Sequence, residues 1–414
     1  MNVKIKPSKQ ISGEVFAPPS KSYAHRYIIS AFLSKSSGFI EGVGSSKDVL
    51  ATLNALSSIG LSYKIISNGV FVSFVKPSNK PILNCNESGS TLRFLLPVVT
   101  ALGISAEFTG GGRLLSRPID DLVKCLNDNG GEFNSFKISG KLKSGDYKIN
   151  GEVSSQFISG LLFALPLLEG NSRIIIEGNT VSKDYISITL EVLEKFNINI
   201  DKTGYGFFVK GNQKYVMPKF MKIEGDYSGA SFLLSMGALS SGVTVKNLTE
   251  NTLQGDRKII DILSCFGANI TKIEDGYTVQ KGVLKGITVG CEDIPDLVQI
   301  LSVVASFAEG ETTFLNVKRL KIKESDRIAG IINNLSKAGI KAKYDNGNLT
   351  VYGGKPKGSV FLGDNDHRTV MSASVLSAFC EGESEILGAE AVNKSYPEFF
   401  KDYESIGGLV DGDI

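Results

Sequence analysis

Cationic residues stand where helices are expected to begin. Pro18-Pro19-Ser20-Lys21-Ser22-Tyr23-Ala24-His25-Arg26 opens with two prolines that stiffen the chain. Ser20 or Ser22 can cap the helix that follows, and Arg26 lies one turn beyond Ser22 on the same face. Lys21 then sits beside free amide groups, where a cation is unfavourable unless an anion binds both. The spacing G-x-x-x-x-G-K-[ST] is absent, so this is not a phosphate P-loop. Glu87-Ser88-Gly89-Ser90-Thr91-Leu92-Arg93 places small residues ahead of an apolar helix, leaving amides open to an anion. Gly110-Gly111-Gly112 leads to Arg117-Pro118 at another helix start. Ser154-Ser155-Gln156 offers two hydroxyls and an amide, a set suited to a phosphate monoester and equally to plain N-capping.

Acids stand beside the later cations. Asp296, after Ile294-Pro295, can cap a helix or act as a base held at a buried site. Lys321-Ile322-Lys323-Glu324-Ser325-Asp326-Arg327 and Asp364-Asn365-Asp366-His367-Arg368 are charge-dense, and taken alone each reads as a solvated face. The ensemble carries more than any member. Lys21, Arg93, Arg117, Lys323, Arg327, Arg368 and Lys394 all fall near helix starts in a chain whose net charge is only +2. If those starts converge, the field attracts anions strongly, so the substrate carries several phosphates or carboxylates. Asp296 and Glu324 are the acids left for proton transfer.

Composition narrows the classes further. The 414 residues include 45 Lys+Arg against 43 Asp+Glu, so no bulk basic excess points to nucleic acid. A hydrophobic fraction of 42% excludes general disorder. No run reads as a membrane span, and the N-terminus has no leader character. Two histidines without ligand spacing and five scattered cysteines argue against a metal site or a disulfide framework. Buried free thiols in a reducing, cytoplasmic compartment are expected.

The elements that must position these residues repeat along the chain. Six amphipathic stretches with acidic or proline starts end at Gly60, Gly130, Asn197, Gly267, Gly339 and Gly407, spaced by 67 to 72 residues. Strand alternation follows most stops. Lys341 to Tyr352 predicts a hairpin about Asn346-Gly347, and Ile270 to Val279 predicts one about Asp275-Gly276. A second helix per repeat is apolar nearly all round, over 92–102, 155–168, 230–239, 297–308 and 370–379, and belongs in an interior. Two closed domains of three repeats fit this better than a solenoid.

The ordered set Pro19-Ser20-Lys21-Ser22, Ser88 to Arg93, Arg117-Pro118, Ser154-Ser155-Gln156, Ser182-Lys183-Asp184-Tyr185, Ile294-Pro295-Asp296, Lys323 to Arg327, Asp366-His367-Arg368 and Lys394-Ser395-Tyr396-Pro397 resembles the enolpyruvyl transferases. The likeness spans about residues 19–400, and nine weak motifs in order are specific. It implies an α/β fold, a two-domain inside-out α/β barrel of six βαβαββ units, three per domain. The expected domains are 19–222 on the shikimate 3-phosphate side, and 1–18 plus 223–414 with the carboxylate clamp and the acid/base residues. The implied reaction moves the enolpyruvyl group of phosphoenolpyruvate to the 5-hydroxyl of shikimate 3-phosphate and releases phosphate. Carried over residue by residue, Lys21, Ser22, Arg26, Ser154, Ser155, Gln156, Ser182, Tyr185, Asp296 and Lys323 bind shikimate 3-phosphate. Lys21, Gly89, Arg117, Gln156, Arg327, Arg368 and Lys394 bind phosphoenolpyruvate. Asp296, Glu324 and Lys21 are the implied catalytic residues. Domain closure would exclude water. Neither a metal nor an organic cofactor is implied, nor nucleic acid, membrane or an obligate partner, so a monomer is expected.

Three positions depart from the family pattern: Glu87 in place of a common Asn, Arg319 in place of another, and Thr369-Val370-Met371 after Arg368. Glyphosate is expected to compete with phosphoenolpyruvate, because Gly89 leaves room. Two other readings stand beside this one. A UDP-N-acetylglucosamine enolpyruvyl transferase usually carries a reactive Cys where this chain has Gly112. A non-catalytic anion-binding repeat protein leaves Asp296 and Glu324 without a purpose.

Overall fold

The computed structural model describes residues 1–76 and 81–412. Residues 77–80 and 413–414, which fall within the two expected domain ranges, lie outside the described residues. The chain forms two compact units. One is continuous, Lys21–Ile223, and the other is discontinuous, Met1–Ser20 with Glu224–Ile414.

In the continuous unit the helices are α1 (Lys21–Ser34), α2 (Lys47–Ser57), α3 (Gly89–Ala101), α4 (Asp120–Asn127), α5 (Ser155–Ala164) and α6 (Lys183–Lys195). In the discontinuous unit they are α7 (Tyr227–Leu239), α8 (Ile259–Phe266), α9 (Val298–Ser306), α10 (Arg327–Lys337), α11 (His367–Phe379) and α12 (Phe399–Ser405). Odd-numbered helices up to α11 are buried almost all round, and every residue of α7 is buried. Even-numbered helices bury one face. The strands alternate buried and exposed residues, so sheets lie outside and helices inside. Serines tolerate this interior because their hydroxyls bond carbonyls one turn back, as Ser302 does to Val298 and Ser374 to Val370. The five expected interior helices are present, and α1 is a sixth that the polar motif at its start disguised.

The repeats follow a βαβαββ plan, which the second shows in full. Ile82–Asn84 leads through α3 to Ala106–Thr109, which runs parallel to it. After α4 comes the hairpin Gly131–Asn134 and Lys137–Gly140, whose second strand pairs antiparallel with Ala106–Thr109. Two such sets of three repeats make the two-domain inside-out α/β fold. The linear repeat hides an exchange of strands. Asn2–Lys6 lies between Ser384–Leu387 and Leu409–Asp411 and completes the last repeat's sheet. Ser12–Phe16 runs parallel to Gly242–Lys246 and opens the sheet of the fourth. The first repeat has a three-stranded sheet, with residues 221–223 bonded along Gly38–Glu41 through Glu41 N to Met221 O at 2.9 Å and Ile223 N to Glu41 O at 3.0 Å.

The hairpin at Asn346-Gly347 forms as predicted, both residues having positive φ, the geometry that matches strand twist. The other hairpin differs by one residue. Ile273 pairs with Gly276, so the turn is Glu274-Asp275 and Gly276 belongs to the strand. The register keeps Ile270 opposite buried Val279, which a turn at Asp275-Gly276 would break. All five cysteines are free. Four are buried, and Cys265 on α8 is exposed, contrary to the expectation of burial. Among the described residues, no helix is long and apolar enough to cross a membrane.

Close packing of α3 on α5 fixes where their starts lie. A Cβ at Gly160 would stand 2.5 Å from the Arg93 carbonyl oxygen. Gly160→Ala therefore forces these helices apart and should cost about 1–3 kcal/mol, read by urea unfolding.

Candidate active site

In the continuous unit, four helix starts carry the polar groups. Ser88 caps α3 at the Thr91 amide, and Ser154 caps α5 at the Gln156 amide. The Gln156 side chain ties these starts together, donating to Ser90 Oγ at 2.8 Å and accepting from Arg93 Nη1 at 2.8 Å. Arg93 also donates to the Pro118 carbonyl and stacks over Phe157. The Arg117 guanidinium packs against Gly89, since a Cβ there would meet Nη1 at 2.8 Å. Lys21 begins α1 and pairs with Asp48 of α2 at 2.8 Å. Arg26 is buried and donates to Thr189 Oγ1 and to the Ser22 and Tyr185 carbonyls, each at 2.8 Å. Burial pulls its pKa down to about 10, which leaves it charged at neutral pH. Ser182 precedes α6 in a left-handed conformation, φ 53°, that few non-glycine residues adopt.

In the discontinuous unit, one guanidinium organises three carboxylates. Arg327, 1% exposed, donates Nη1 to Asp296 at 2.7 Å, Nη2 to Glu324 at 2.8 Å and Nε to Asp366 at 2.8 Å. Asp366 also caps α11 through the Arg368 amide and accepts from Ser325. Arg368 reaches the Asp296 carbonyl at 3.1 Å, the Asp296 carboxylate at 3.5 Å and Ser228 Oγ at 2.6 Å. Lys323 Nζ lies 3.7 Å from Asp296. Lys394, also buried, donates to the Asn365 carbonyl.

Charge balance in this cluster sets the proton affinities. Burial pushes Asp296 up, but Arg368, Lys323 and Arg327 together hold it well below the ordinary carboxylate range. Burial pulls Lys323 down to about 8 against the pull of Asp296, with Arg319 adding repulsion. Asp256, buried at the turn before α8, is pushed up to about 7 by burial and then by Asp296, with Arg368 opposing.

The expected residues therefore fall into two groups. Lys21, Ser22, Arg26, Gly89, Arg117, Ser154, Ser155, Gln156, Ser182 and Tyr185 lie in the continuous unit. Asp296, Lys323, Glu324, Arg327, Arg368 and Lys394 lie in the discontinuous one. Asp296 is not a helix cap, because its carboxylate faces Arg327 and α9 starts without a side-chain cap. The charge runs at 321–327 and 364–368 are not solvated faces at Arg327, Asp366 and Arg368, which are buried. Asp366, Ser228 and Asp256 join the cluster although the sequence reading assigned them no role. Asp366 and Ser228 were detectable as polar residues at the starts of apolar helices, whereas Asp256 read only as the acidic start of an amphipathic stretch. Glu87 lies over Gly112, and a side chain at 112 would collide with its carboxylate. Arg319 extends to the Glu292 carbonyl at 3.5 Å.

Removing the hub of the cluster should expose its cost. Arg327→Leu leaves three buried or half-buried carboxylates without their shared cation and should destabilise the fold by about 3–5 kcal/mol in denaturant unfolding.

This arrangement matches known proteins over the whole chain. A profile of EPSP synthase (3-phosphoshikimate 1-carboxyvinyltransferase) matches residues 5–403. The 3-phosphoshikimate 1-carboxyvinyltransferase of Clostridium kluyveri is 41% identical over 423 residues, covering 99% of this chain and 98% of that protein. That of Clostridium novyi is 39% identical over 429 residues, with 99% and 98% covered. Among solved structures, EPSP synthase from Acinetobacter baumannii superposes with a TM-score of 0.81 at 25% identity, covering 99% of this chain and 100% of that one. The enolpyruvyl transferase NikO from Streptomyces tendae shares the fold, with a TM-score of 0.80 at 14% identity over 99% of this chain and 98% of that one. With a matching profile from residue 5 to residue 403 and relatives alike end to end, the chain belongs to the EPSP synthase family of 3-phosphoshikimate 1-carboxyvinyltransferases.

Proposed function

We propose that the helix starts of the two units divide between them the work of enolpyruvyl transfer. The reaction is the family's: the enolpyruvyl group of phosphoenolpyruvate moves to the 5-hydroxyl of shikimate 3-phosphate and phosphate is released, in the shikimate pathway to the aromatic amino acids. The observation that carries the division is the Arg327 hub, which holds Asp296 and Glu324 beside Arg368 and Lys323.

Ser22 and Arg26 take the shikimate carboxylate, and Ser154, Ser155 and Ser182 take its phosphate, with Tyr185 and Gln156 beside them. Lys323 and Asp296 meet its hydroxyls. Lys21, Gly89, Arg117, Gln156 and Lys394 take the phosphate of phosphoenolpyruvate, while Arg327 and Arg368 hold its carboxylate. Glu324 gives a proton to the methylene carbon, which leaves oxocarbenium character on the adjacent carbon. The 5-hydroxyl oxygen attacks that carbon as Asp296 accepts the hydroxyl proton. The tetrahedral adduct then loses phosphate, and the new methyl group returns a proton to restore the enol ether.

Electrostatics makes the order of events reasonable. In the free protein Asp296 is a poor base because three cations hold it ionised. A carboxylate bound at Arg327 and Arg368 shares that positive charge and raises the basicity of Asp296 when it is needed. These steps need proton transfer and charge stabilisation only, so no cofactor is invoked. We place the protein in the cytoplasm as a monomer, since one chain carries both residue sets and its five thiols are free. Glyphosate competes with phosphoenolpyruvate in this reading, and inhibition that phosphoenolpyruvate fails to relieve would contradict it.

Purified protein should release phosphate only when both shikimate 3-phosphate and phosphoenolpyruvate are present. Asp296→Asn should lower kcat by about 10²–10⁴-fold. Release with UDP-N-acetylglucosamine in place of shikimate 3-phosphate would assign the sister activity instead. A second prediction follows from Lys323. As pH rises through about 8 the ammonium loses its proton, so kcat/KM for shikimate 3-phosphate should fall on the alkaline side. Lys323→Arg should move that limb upward, measured by steady-state rates from pH 6 to 10, about two units either side of Lys323.

A further inference from the structure

We infer that a buried relay of hydrogen bonds, His25–Thr52–Thr91–Ser88, sets the start of α3, and that His25, Thr52 and Thr91 are positioning residues for phosphoenolpyruvate. The inference rests on the proposed role of Gly89 in binding that substrate's phosphate. His25 Nδ1 lies 2.7 Å from Thr52 Oγ1, Thr52 Oγ1 lies 2.7 Å from Thr91 Oγ1, and Thr91 Oγ1 lies 2.7 Å from Ser88 Oγ. The chain runs from α1 through α2 to the first turn of α3, and all four side chains are buried.

Valine would fill the two threonine sites equally well by volume. Burying hydroxyls there is costly unless each is paired, and here each is. The relay ends on the cap. Ser88 Oγ accepts both the Thr91 hydroxyl and the Thr91 amide, the latter at 3.2 Å, so its rotamer is held from two sides. Ser88 is the residue before Gly89, and Gly89 lies against Arg117. A shift of a few tenths of an ångström at Ser88 therefore reaches both the first amides of α3 and the guanidinium packed on them.

The imidazole suits a one-way relay. Burial, and then Lys21 and Arg26, hold its pKa well below the ordinary value, so it carries one ring proton. With that proton on Nδ1, His25 donates to Thr52, Thr52 to Thr91 and Thr91 to Ser88. Nε2 is then a bare acceptor, without a partner among the described residues. The opposite tautomer would bury an unpaired N–H, the less tolerated alternative.

Steady-state kinetics on paired variants tests this. Thr91→Val and His25→Leu should each raise KM for phosphoenolpyruvate about tenfold while KM for shikimate 3-phosphate stays within about twofold. Thr91→Ser keeps the hydroxyl, and His25→Asn sets an amide where Nδ1 stands; each should restore the lower KM. Unchanged KM for phosphoenolpyruvate in both Thr91→Val and His25→Leu, or equal rises for both substrates, would overturn the relay. Gly89→Ala separates the two failures. If it raises KM for phosphoenolpyruvate and the relay variants do not, the relay alone is wrong. If it leaves that KM unchanged, Gly89 is not at the phosphate and the inference falls with that reading.

Discussion

Three helices buried on nearly every side in each unit constrain everything else in this protein. Their flanks are satisfied by packing, but their first-turn amides have no intrahelical acceptors. Buried helix starts must find partners or a ligand. Ser88, Ser154, Asp226 and Asp366 supply some partners as caps. The remaining donors define where an anion is favoured. The residues expected to form the site thus stand at helix starts, the polar ends of an otherwise apolar interior.

Each unit meets the resulting electrostatic problem differently. The continuous unit spreads its cations: Lys21 leans on Asp48, Arg26 on carbonyls and a hydroxyl, and Arg93 on the Gln156 amide. Dipoles of neutral groups therefore offset part of the positive charge there. The discontinuous unit concentrates its charge. Arg327 faces three carboxylates, and Arg368 and Lys323 share one of them. Such a cluster is costly to assemble, since every member is desolvated, and it holds only while all members remain. It also leaves Asp296 and Glu324 on the same guanidinium, so any charge brought to Arg327 is felt by both.

The departures from the family pattern acquire physical meaning in three dimensions. Glu87 occupies the space beside Gly112, so the pair is coupled: an acid at 87 and no side chain at 112. Arg319 reaches back to Glu292 while its charge lowers the proton affinity of Lys323. Thr369, the first of the less typical residues after Arg368, accepts the Gln299 amide at 2.8 Å and ties α11 to α9.

The six-fold period, five of the six interior helices and the Asn346-Gly347 turn were legible in the sequence, while the βαβαββ plan came with the family resemblance. The first three are written locally, in hydrophobic periodicity, in stop residues and in the φ a turn demands. Ordered short motifs added the family, because residues that face one ligand recur in a fixed order. Other features depend on contacts far apart along the chain. The N-terminal strands complete sheets whose other strands lie more than two hundred residues away, a pairing no local pattern encodes. The turn at Glu274-Asp275 was decided by which side chains the core requires on one face, not by turn chemistry. Charge runs that looked solvated became a buried cluster around Arg327, since burial of an ion depends on its partners rather than its neighbours in sequence. The sequence determined which residues could do chemistry, and the tertiary structure alone decided their proton affinities, which follow from distance and desolvation.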